Sequence, residues 1–124
     1  MLMKNTEGLL TSYWGYKSFK PQQEKIINSI IKGNNTLAIL PTGGGKSLCY
    51  QLPSLILEGT TLVISPLIAL MEEQVGLLKK IGISSFYFKS ESLNSSTNQQ
   101  LDNLINGNYK IVYCSPEKFV NKDF

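Results

Sequence analysis

The chain has 124 residues, which is enough for one modest domain with a core or for part of a larger one. Its apolar content of 42% and ordinary charge indicate a globular protein rather than a disordered one. A net charge of +3 is compatible with nucleic-acid binding but too small to argue for it. All twelve basic residues are lysines, so the chain cannot supply an arginine finger to a phosphoryl-transfer site.

The cysteines and the N-terminus favour an intracellular protein. Cys49 and Cys114 are isolated, lack the paired spacing of a zinc site and are interpreted as reduced, mostly buried thiols. Residues 1–5 contain no long apolar stretch of the kind that a signal peptide needs. No apolar run approaches the ~20 residues that span a bilayer. We therefore expect a cytoplasmic or nuclear protein, neither secreted nor inserted in a membrane.

The first part of the chain is predicted to form two helices. One covers residues 6–14. The next begins at Pro21, which suits the first helical position, and ends at Gly33, which suits the position after a helix. The predicted inner faces consist of Leu9, Leu10 and Tyr13 in the first helix and of Ile26, Ile27, Ile30 and Ile31 in the second.

A buried strand is predicted over residues 36–39, followed by a glycine-rich turn and a helix from Lys46 that Pro53 should break or kink. Residues 61–64 form a continuous apolar run, which is typical of a strand covered on both faces. Pro66 is then predicted to open a helix that runs to about residue 80. Its helically spaced residues are Leu67, Leu70, Met71, Gln74 and Leu78.

The last part of the chain continues the alternation of strands and helices. Strands are predicted over residues 84–88 and 110–114, and a helix capped by Ser95 or Ser96 is predicted to end at Gly107. Pro116 begins a further helix. This alternation predicts an α/β fold with a doubly wound, mostly parallel sheet. Ligands of such sheets bind at the carboxyl ends of the strands.

Residues 40–47 read Leu-Pro-Thr-Gly-Gly-Gly-Lys-Ser, which is typical of a phosphate-binding loop between a strand and a helix. Glycines allow positive φ, so the loop amides can surround an anion at the helix N-terminus. Lys46 is predicted to reach the β- and γ-phosphates, and Ser47 to hold Mg²⁺. The alternative is a glycine-rich surface turn beside a solvated lysine. The predicted phosphate-site residues are Thr42, Gly43, Gly44, Gly45, Lys46 and Ser47.

Four segments together resemble, in the same order, the motifs of the RecQ helicases. Residues 14–27 read W-G-Y-K-S-F-K-P-Q-Q-E-K-I-I and resemble that family's upstream motif, and residues 40–53 resemble its motif I. Residues 62–75 and 111–119 are similar to its motifs Ia and Ib. The resemblance covers nearly the whole chain. It implies part of a RecA-like P-loop domain of an ATP-dependent 3′–5′ DNA helicase, with ATP and Mg²⁺ as ligands.

The resemblance also implies an adenine site. Tyr16 would stack on adenine, and Gln23 would read its edge with a bidentate amide. Lys20 stands where the family usually has arginine and keeps the charge without the planar fork, which bears on base selectivity. The alternative for Trp14, Tyr16 and Phe19 is packing in the core, which is the favoured interpretation for Trp14 and Phe19, whereas ligand contact is favoured for Tyr16 and Gln23.

Motifs Ia and Ib imply a track for single-stranded DNA, or for DNA with a single-stranded tail. Backbone amides at helix N-termini and small hydroxyls would hold phosphates without reading sequence. The alternative is that the two serines only cap their helices. The lysines at 79–80 and 118–122 are interpreted as solvated faces. The track residues are Ser65, Pro66, Leu67, Ser115, Pro116, Glu117 and Lys118.

The family's Asp-Glu-x-His motif does not occur in these 124 residues. We therefore expect residues 1–124 to be the N-terminal part of the helicase ATP-binding domain, truncated before that motif, with uncovered strand edges and no activity alone. The second hypothesis is a stand-alone nucleotide- or DNA-binding module without catalysis. A P-loop kinase or a DEAD-box RNA helicase is less favoured, because the upstream motif and C-Y-Q-L-P suit RecQ better.

Overall fold

The computed structural model describes residues 2–41, 45–88, 102–103 and 106–120. They form two compact units, Met1–Glu58 and Gly59–Phe124, and each is described by itself. The first unit contains the helices α1 (Leu2–Leu9), α2 (Pro21–Ile31) and α3 (Lys46–Ile56). The second contains the strands β1 (Thr61–Ile64), β2 (Ser85–Tyr87) and β3 (Ile111–Cys114) and the helix α4 (Ile68–Lys80).

The predicted first helix is confirmed but begins before residue 6. The helix comprises α1 and a π-helical turn over Leu10–Trp14, and it ends at Gly15, whose φ is +76°. The helix α2 begins at Pro21 and runs to Ile31, with Lys32 as its C-cap residue. Gly33 follows with a φ of +88°, which glycine adopts readily, so both predicted ends are confirmed.

The core of the first unit joins its three helical segments. Leu48 and Leu52 lie one turn apart on α3 and pack with Ile27 of α2 and Leu10. Partly buried side chains extend this core, and they include Trp14 and Phe19, which confirms the predicted packing role of both rings. The other partly buried contributors are Leu9, Ile31 and Ile56.

The prediction of a buried strand over residues 36–39 is wrong for this structure. The segment has no strand hydrogen bonding to any described residue. Leu37 and Ile39 are 90% and 88% exposed. A strand needs a neighbouring strand to pair its backbone, and the described sheet lies entirely in the second unit.

The helix after the glycine turn is confirmed, but Pro53 does not end it. The helix α3 runs to Ile56, with Pro53 buried inside it. The Leu57 N–H donates to the Pro53 carbonyl at 2.9 Å, so helical bonding resumes one turn beyond the proline.

The second unit is a three-stranded, fully parallel sheet in the order β1-β3-β2. Ile111 of β3 pairs with Thr61 on one side and with Ser85 on the other. All four residues of β3 are buried, as expected for the central strand. The expectation of a parallel α/β sheet is confirmed.

Two details of the second unit differ from the predictions. β1 is not covered on both faces, because Leu62 and Ile64 are about half exposed. The helix α4 begins at Ile68 instead of Pro66, because Leu67 is still extended, with φ −104° and ψ 97°. The buried side chains of α4 are Met71, Val75 and Leu78, whereas Leu67 and Leu70 are exposed.

The remaining predicted elements lie partly outside the described residues. Ser95, Ser96, Leu101, Leu104 and Ile105 of the predicted helix lie outside them. Asp102 and Asn103 are helical, and Gly107 has a φ of +75° in the following turn. A 3-10 helix covers Pro116–Val120. No helix in the described part of the chain is long and apolar enough to cross a membrane.

Candidate functional site

Gly45 marks the junction between the glycine-rich turn and α3. It is the N-cap residue of α3 and has left-handed backbone angles, φ +77° and ψ 38°. A Cβ at this position would collide with Nε2 of Gln23. The positive φ favours glycine here, and any larger residue would also displace the terminal amide of Gln23.

The side chain of Gln23 links α2 to the backbone of Gly45. Its Nε2 donates to the Gly45 carbonyl at 3.2 Å, and its Oε1 accepts from the Lys20 N–H at 2.9 Å. Lys20 precedes Pro21 and is extended, with ψ 149°, which points its N–H back toward the third residue of the helix. The side chain of Gln23 is only 5% exposed.

Lys46 and Ser47 are the first two residues of α3. Lys46 is exposed and Ser47 is half-buried. The first N–H groups of a helix have no partner within the helix, and the helix dipole adds positive potential there. Thr42, Gly43 and Gly44, which complete the predicted phosphate site, lie outside the described residues.

The backbone carbonyl of Tyr16 is held by a hydrogen bond, whereas its side chain is largely exposed to solvent. The hydroxyl of Thr11 donates to the Tyr16 carbonyl at 2.9 Å, and the Gly15 N–H donates to the Thr11 carbonyl at 3.0 Å. The side chain of Tyr16 is 60% exposed, unlike its neighbour Trp14. An exposed aromatic ring on a fixed backbone can stack on a planar ligand.

Cys49 is a contributor that the sequence reasoning treated only as a buried thiol. Its Sγ donates to the Gly45 carbonyl at 3.6 Å from one turn further along α3. Burial raises the pKa of the Cys49 thiol, so the thiol keeps its proton and remains a donor near neutral pH. In the sequence, the four-residue spacing between Gly45 and Cys49 places both residues on one face of the helix. Only the folded structure shows that the thiol reaches the Gly45 carbonyl.

In the second unit, the ends of β1 and β3 bring the two predicted DNA-binding segments together. The Ser65 N–H donates to the Cys114 carbonyl at 3.0 Å, which continues the ladder by one residue. The hydroxyl of Ser65 accepts from the Leu67 N–H at 3.2 Å. Ser65 therefore closes a turn before α4 and does not cap the helix itself.

The segment after β3 differs from its prediction in one respect. Lys118 is 8% exposed, so its interpretation as part of a solvated face is wrong. Ser115 is buried, and its Oγ has no partner within hydrogen-bonding geometry in the described part of the chain, although its proximity lowers the pKa of the Glu117 carboxyl. Pro116 and Glu117 are exposed at the start of the 3-10 helix. Lys122 lies outside the described residues.

The chain belongs to the DEAD/DEAH box helicase family, whose model matches residues 20–123. It is 42% identical over 124 residues to the ATP-dependent DNA helicase RecQ of Bacillus subtilis, covering 99% of this chain and 21% of that protein. It is 44% identical over 116 residues to the ATP-dependent DNA helicase RecQ of Haemophilus influenzae, covering 94% of this chain and 19% of that protein. The chain thus spans about a fifth of the length of these relatives.

A solved structure supports the fold. The chain resembles the crystal structure of a hypothetical ATP-dependent RNA helicase from Sulfolobus tokodaii with a TM-score of 0.65 and 20% sequence identity. The match covers 96% of this chain and 34% of that one. At this identity the likeness concerns the fold alone, which agrees with the predicted RecA-like α/β class.

Proposed function

We propose that this chain binds Mg·ATP at the start of α3, as the ATP-binding part of a RecQ-type DNA helicase. The observation that carries the proposal is the left-handed Gly45 immediately before Lys46 and Ser47 at the N-terminus of α3. Lys46 would contact the β- and γ-phosphates, and the Ser47 hydroxyl would hold Mg²⁺. The amides of Thr42, Gly43 and Gly44 would complete the phosphate cradle.

Adenine would be bound between Tyr16 and Gln23. The Tyr16 ring is exposed and can stack on the base. The carboxamide of Gln23 uses one oxygen lone pair and one N–H in its bonds to Lys20 and Gly45. One lone pair and one N–H remain, and these are the groups that a bidentate contact with the adenine edge needs. The charge of Lys20 would lie beside the same site.

The phosphate site is tested by titrating the 124-residue chain with a fluorescent ATP analogue and Mg²⁺. Lys46→Ala removes the cation aimed at the phosphates and should weaken binding at least about tenfold, since hydrogen bonds to charged groups contribute ~1.5–3 kcal/mol. Lys25→Ala, which removes an exposed lysine of α2, serves as the control. Equal affinity of Lys46→Ala and the parent chain would overturn the assignment.

Base preference is tested by letting ATP and GTP compete against the same analogue. The parent chain should prefer ATP, and Gln23→Ala should reduce the preference. Equal competition by the two nucleotides in the parent chain, unchanged in Gln23→Ala, would show that residues 14–27 act only in packing.

A track for single-stranded DNA is proposed along the carboxyl ends of β1 and β3. It would consist of Ser65–Leu67 and of Pro116 and Glu117 at the exposed start of the 3-10 helix, whereas the predicted side chains of Ser115 and Lys118 are buried. The bond between the Ser65 N–H and the Cys114 carbonyl supports it, because it places the two segments side by side. Relatives of the chain are named DNA helicases. Phosphate contacts from the Ser65 hydroxyl and from backbone amides would be independent of base sequence.

The track is tested by fluorescence anisotropy with single-stranded and 3′-tailed oligonucleotides of mixed sequence. Ser65→Ala should weaken binding several-fold without changing its dependence on base sequence. Ser54→Ala is the control, because Ser54 is a buried serine of the other unit. Oligonucleotide binding that Ser65→Ala leaves unchanged would place the DNA elsewhere.

Unwinding with 3′–5′ polarity is proposed for the helicase of which this chain forms a part, and not for the 124 residues alone. The chain contains neither an Asp-Glu pair nor an arginine. Phosphoryl transfer needs a positioned water, a completed Mg²⁺ shell and a cation at the γ-phosphate. We expect no DNA-stimulated ATP hydrolysis by the 124-residue chain. Turnover measured with and without single-stranded DNA tests this, and robust DNA-dependent hydrolysis would contradict it.

A further inference from the structure

Residues 36–39 of the first unit combine an apolar sequence with almost complete exposure. Leu37 and Ile39 are 90% and 88% exposed, and Thr36 and Ala38 are exposed as well. The segment begins at a fixed point, because the Thr36 hydroxyl lies 2.8 Å from the hydroxyl of Ser29 on α2. Its backbone forms no strand with any described residue. A segment of this kind is a template for pairing with another strand.

The outer edge of β1 offers a complementary feature in the second unit. β1 lies at one edge of the described sheet, with β3 on its inner side. The N–H groups of Thr61 and Ser65 both donate to carbonyls of the segment that contains β3. Since backbone groups alternate in direction along a strand, those of Leu62 and Ile64 point away from β3. The side chains of these two residues are about half exposed.

The opposite edge of the sheet, at β2, does not share this exposure. Ser85 is buried, Phe86 stacks on the ring of Tyr109, and α4 packs against the strand. Natural edge strands are commonly protected by charged residues. Residues 59–71, which include β1, contain no charged residue, and neither do residues 33–45. Both segments therefore lack the usual protection against pairing with a second chain.

The two segments also match each other in sequence. Residues 36–39 read Thr-Leu-Ala-Ile, and residues 61–64 read Thr-Leu-Val-Ile. In both segments the leucine and the isoleucine are two residues apart, so an extended backbone places them on one face. When the segments pair, in either direction, these side chains lie beside one another across the two strands. Each segment supplies the strand neighbour that the other needs.

We propose that residues 36–39 of one copy of this chain pair with the outer edge of β1 of a second copy. The partner is a second copy because every copy carries both halves of the contact. Pairing extends the three-stranded sheet by one strand and covers the four exposed leucine and isoleucine side chains. Reciprocal exchange between two copies closes a dimer, whereas one contact per copy joins further chains end to end. The contact uses no residue of the proposed nucleotide site.

Sedimentation equilibrium of the 124-residue chain over a range of concentrations measures the association. The parent chain should form dimers or larger assemblies. Ile39→Lys and Ile64→Lys place a charge in the contact from its two sides, and each should weaken association at least about tenfold, because an ammonium would be buried there without a partner. Leu77→Lys changes a leucine of α4 with similar exposure to Ile64, and it should associate like the parent. Circular dichroism should show that all three variants keep the fold.

Disulfide cross-linking identifies the strands that meet. A chain with Leu37→Cys is mixed in turn with a chain carrying Leu62→Cys and with one carrying Ile64→Cys. Mild oxidation should link the two kinds of chain in at least one mixture, because paired strands bring opposite side chains within reach of a disulfide. Linkage to residue 62 indicates parallel pairing, and linkage to residue 64 indicates antiparallel pairing. The parent chain is the control, since Cys49 and Cys114 are buried.

Three results would overturn the proposal. The first is a parent chain that stays monomeric at every concentration. The second is an association that Ile39→Lys and Ile64→Lys leave unchanged, or that Leu77→Lys weakens equally. The third is cross-linking only between two Leu37→Cys chains or only between two Leu62→Cys chains, because it would show that each segment pairs with its own kind. None of these results depends on nucleotide or DNA binding, so the proposed function is tested separately.

Discussion

The two units hold their candidate ligand-binding residues by different means. In the first unit, a side chain of one helix bonds to the backbone at the start of another, from Gln23 to Gly45. In the second unit, Ser65 is held by a backbone bond to the carbonyl of Cys114, as an extension of the sheet. One side-chain substitution can therefore displace the candidate phosphate-binding residues, whereas the strand ends keep their arrangement as long as the sheet is intact.

The largest expected effect tests the dependence of the second unit on its sheet. Ile111 is fully buried on the central strand, with neighbours on both sides. Ile111→Ala should lower the free energy of unfolding by about 2–5 kcal/mol and weaken oligonucleotide binding. Urea denaturation followed by circular dichroism measures the first effect, and fluorescence anisotropy measures the second.

The control for this substitution lies on the neighbouring strand. Leu62 pairs with Val112 but is about half exposed, so Leu62→Ala should cost about 1 kcal/mol or less. Equal losses of unfolding free energy in Leu62→Ala and Ile111→Ala would contradict the placement of β3 at the centre of the sheet.

The next effect tests the dependence of the first unit on a single contact. Gly45→Ala forces the new Cβ against Gln23 and places alanine at positive φ. We expect the loss of one interhelical hydrogen bond and at least about a tenfold weakening of Mg·ATP binding. Titration with a fluorescent ATP analogue measures the loss.

Gly33→Ala is matched to this change, because Gly33 has a similar φ of +88° and open space where a Cβ would lie. It should show only the backbone strain, about 1–2 kcal/mol of unfolding free energy, and bind nucleotide like the parent. If Gly33→Ala and Gly45→Ala weaken nucleotide binding equally, the contact with Gln23 has no special role.

A smaller effect separates two neighbouring aromatic residues of the first unit. Tyr16→Ala should weaken ATP binding about tenfold, since stacking of a base on an aromatic ring contributes ~1–3 kcal/mol. It should leave the unfolding free energy nearly unchanged, because the ring is exposed. Trp14→Ala should do the reverse, because its ring packs on the core. Thermal denaturation and nucleotide titration of both variants test the distinction, and a loss of stability in Tyr16→Ala would refute it.

The smallest effect concerns a carboxylate beside the proposed DNA track. The Ser115 hydroxyl lowers the pKa of Glu117, so its charge persists when the pH falls toward its ordinary pKa. Glu117→Gln should strengthen oligonucleotide binding about twofold at low salt, because an exposed charge is largely screened. The gain should be present at pH 8 and should persist at about pH 4.5, where a glutamate with its ordinary pKa would be about half protonated. Glu73→Gln on the exposed side of α4 is the control, and an equal gain there would indicate only a change in net charge.

Local signals in the sequence predicted several elements correctly. Pro21 and Gly33 bound α2 because one residue has a preset φ and the other tolerates positive φ, and neither requirement depends on distant parts of the chain. The apolar runs of β1 and β3 likewise indicated strands at nearly their observed bounds. Residues 36–39 have the same apolar pattern, but their backbone has no strand partner among the described residues. An apolar sequence pattern does not show whether a segment has a neighbouring strand to pair with.

By itself, the sequence determined the family, the alternation of helices and parallel strands, and the candidate phosphate-binding residues Lys46 and Ser47. These follow from short-range spacing, where the chemistry of a few adjacent residues suffices. Only the tertiary structure decided that Gln23 bonds to Gly45, that Lys118 is buried and that Ser65 closes a turn instead of capping α4. Each of these contacts depends on residues that packing or sheet register brings together. Local propensity does not determine which distant residues meet.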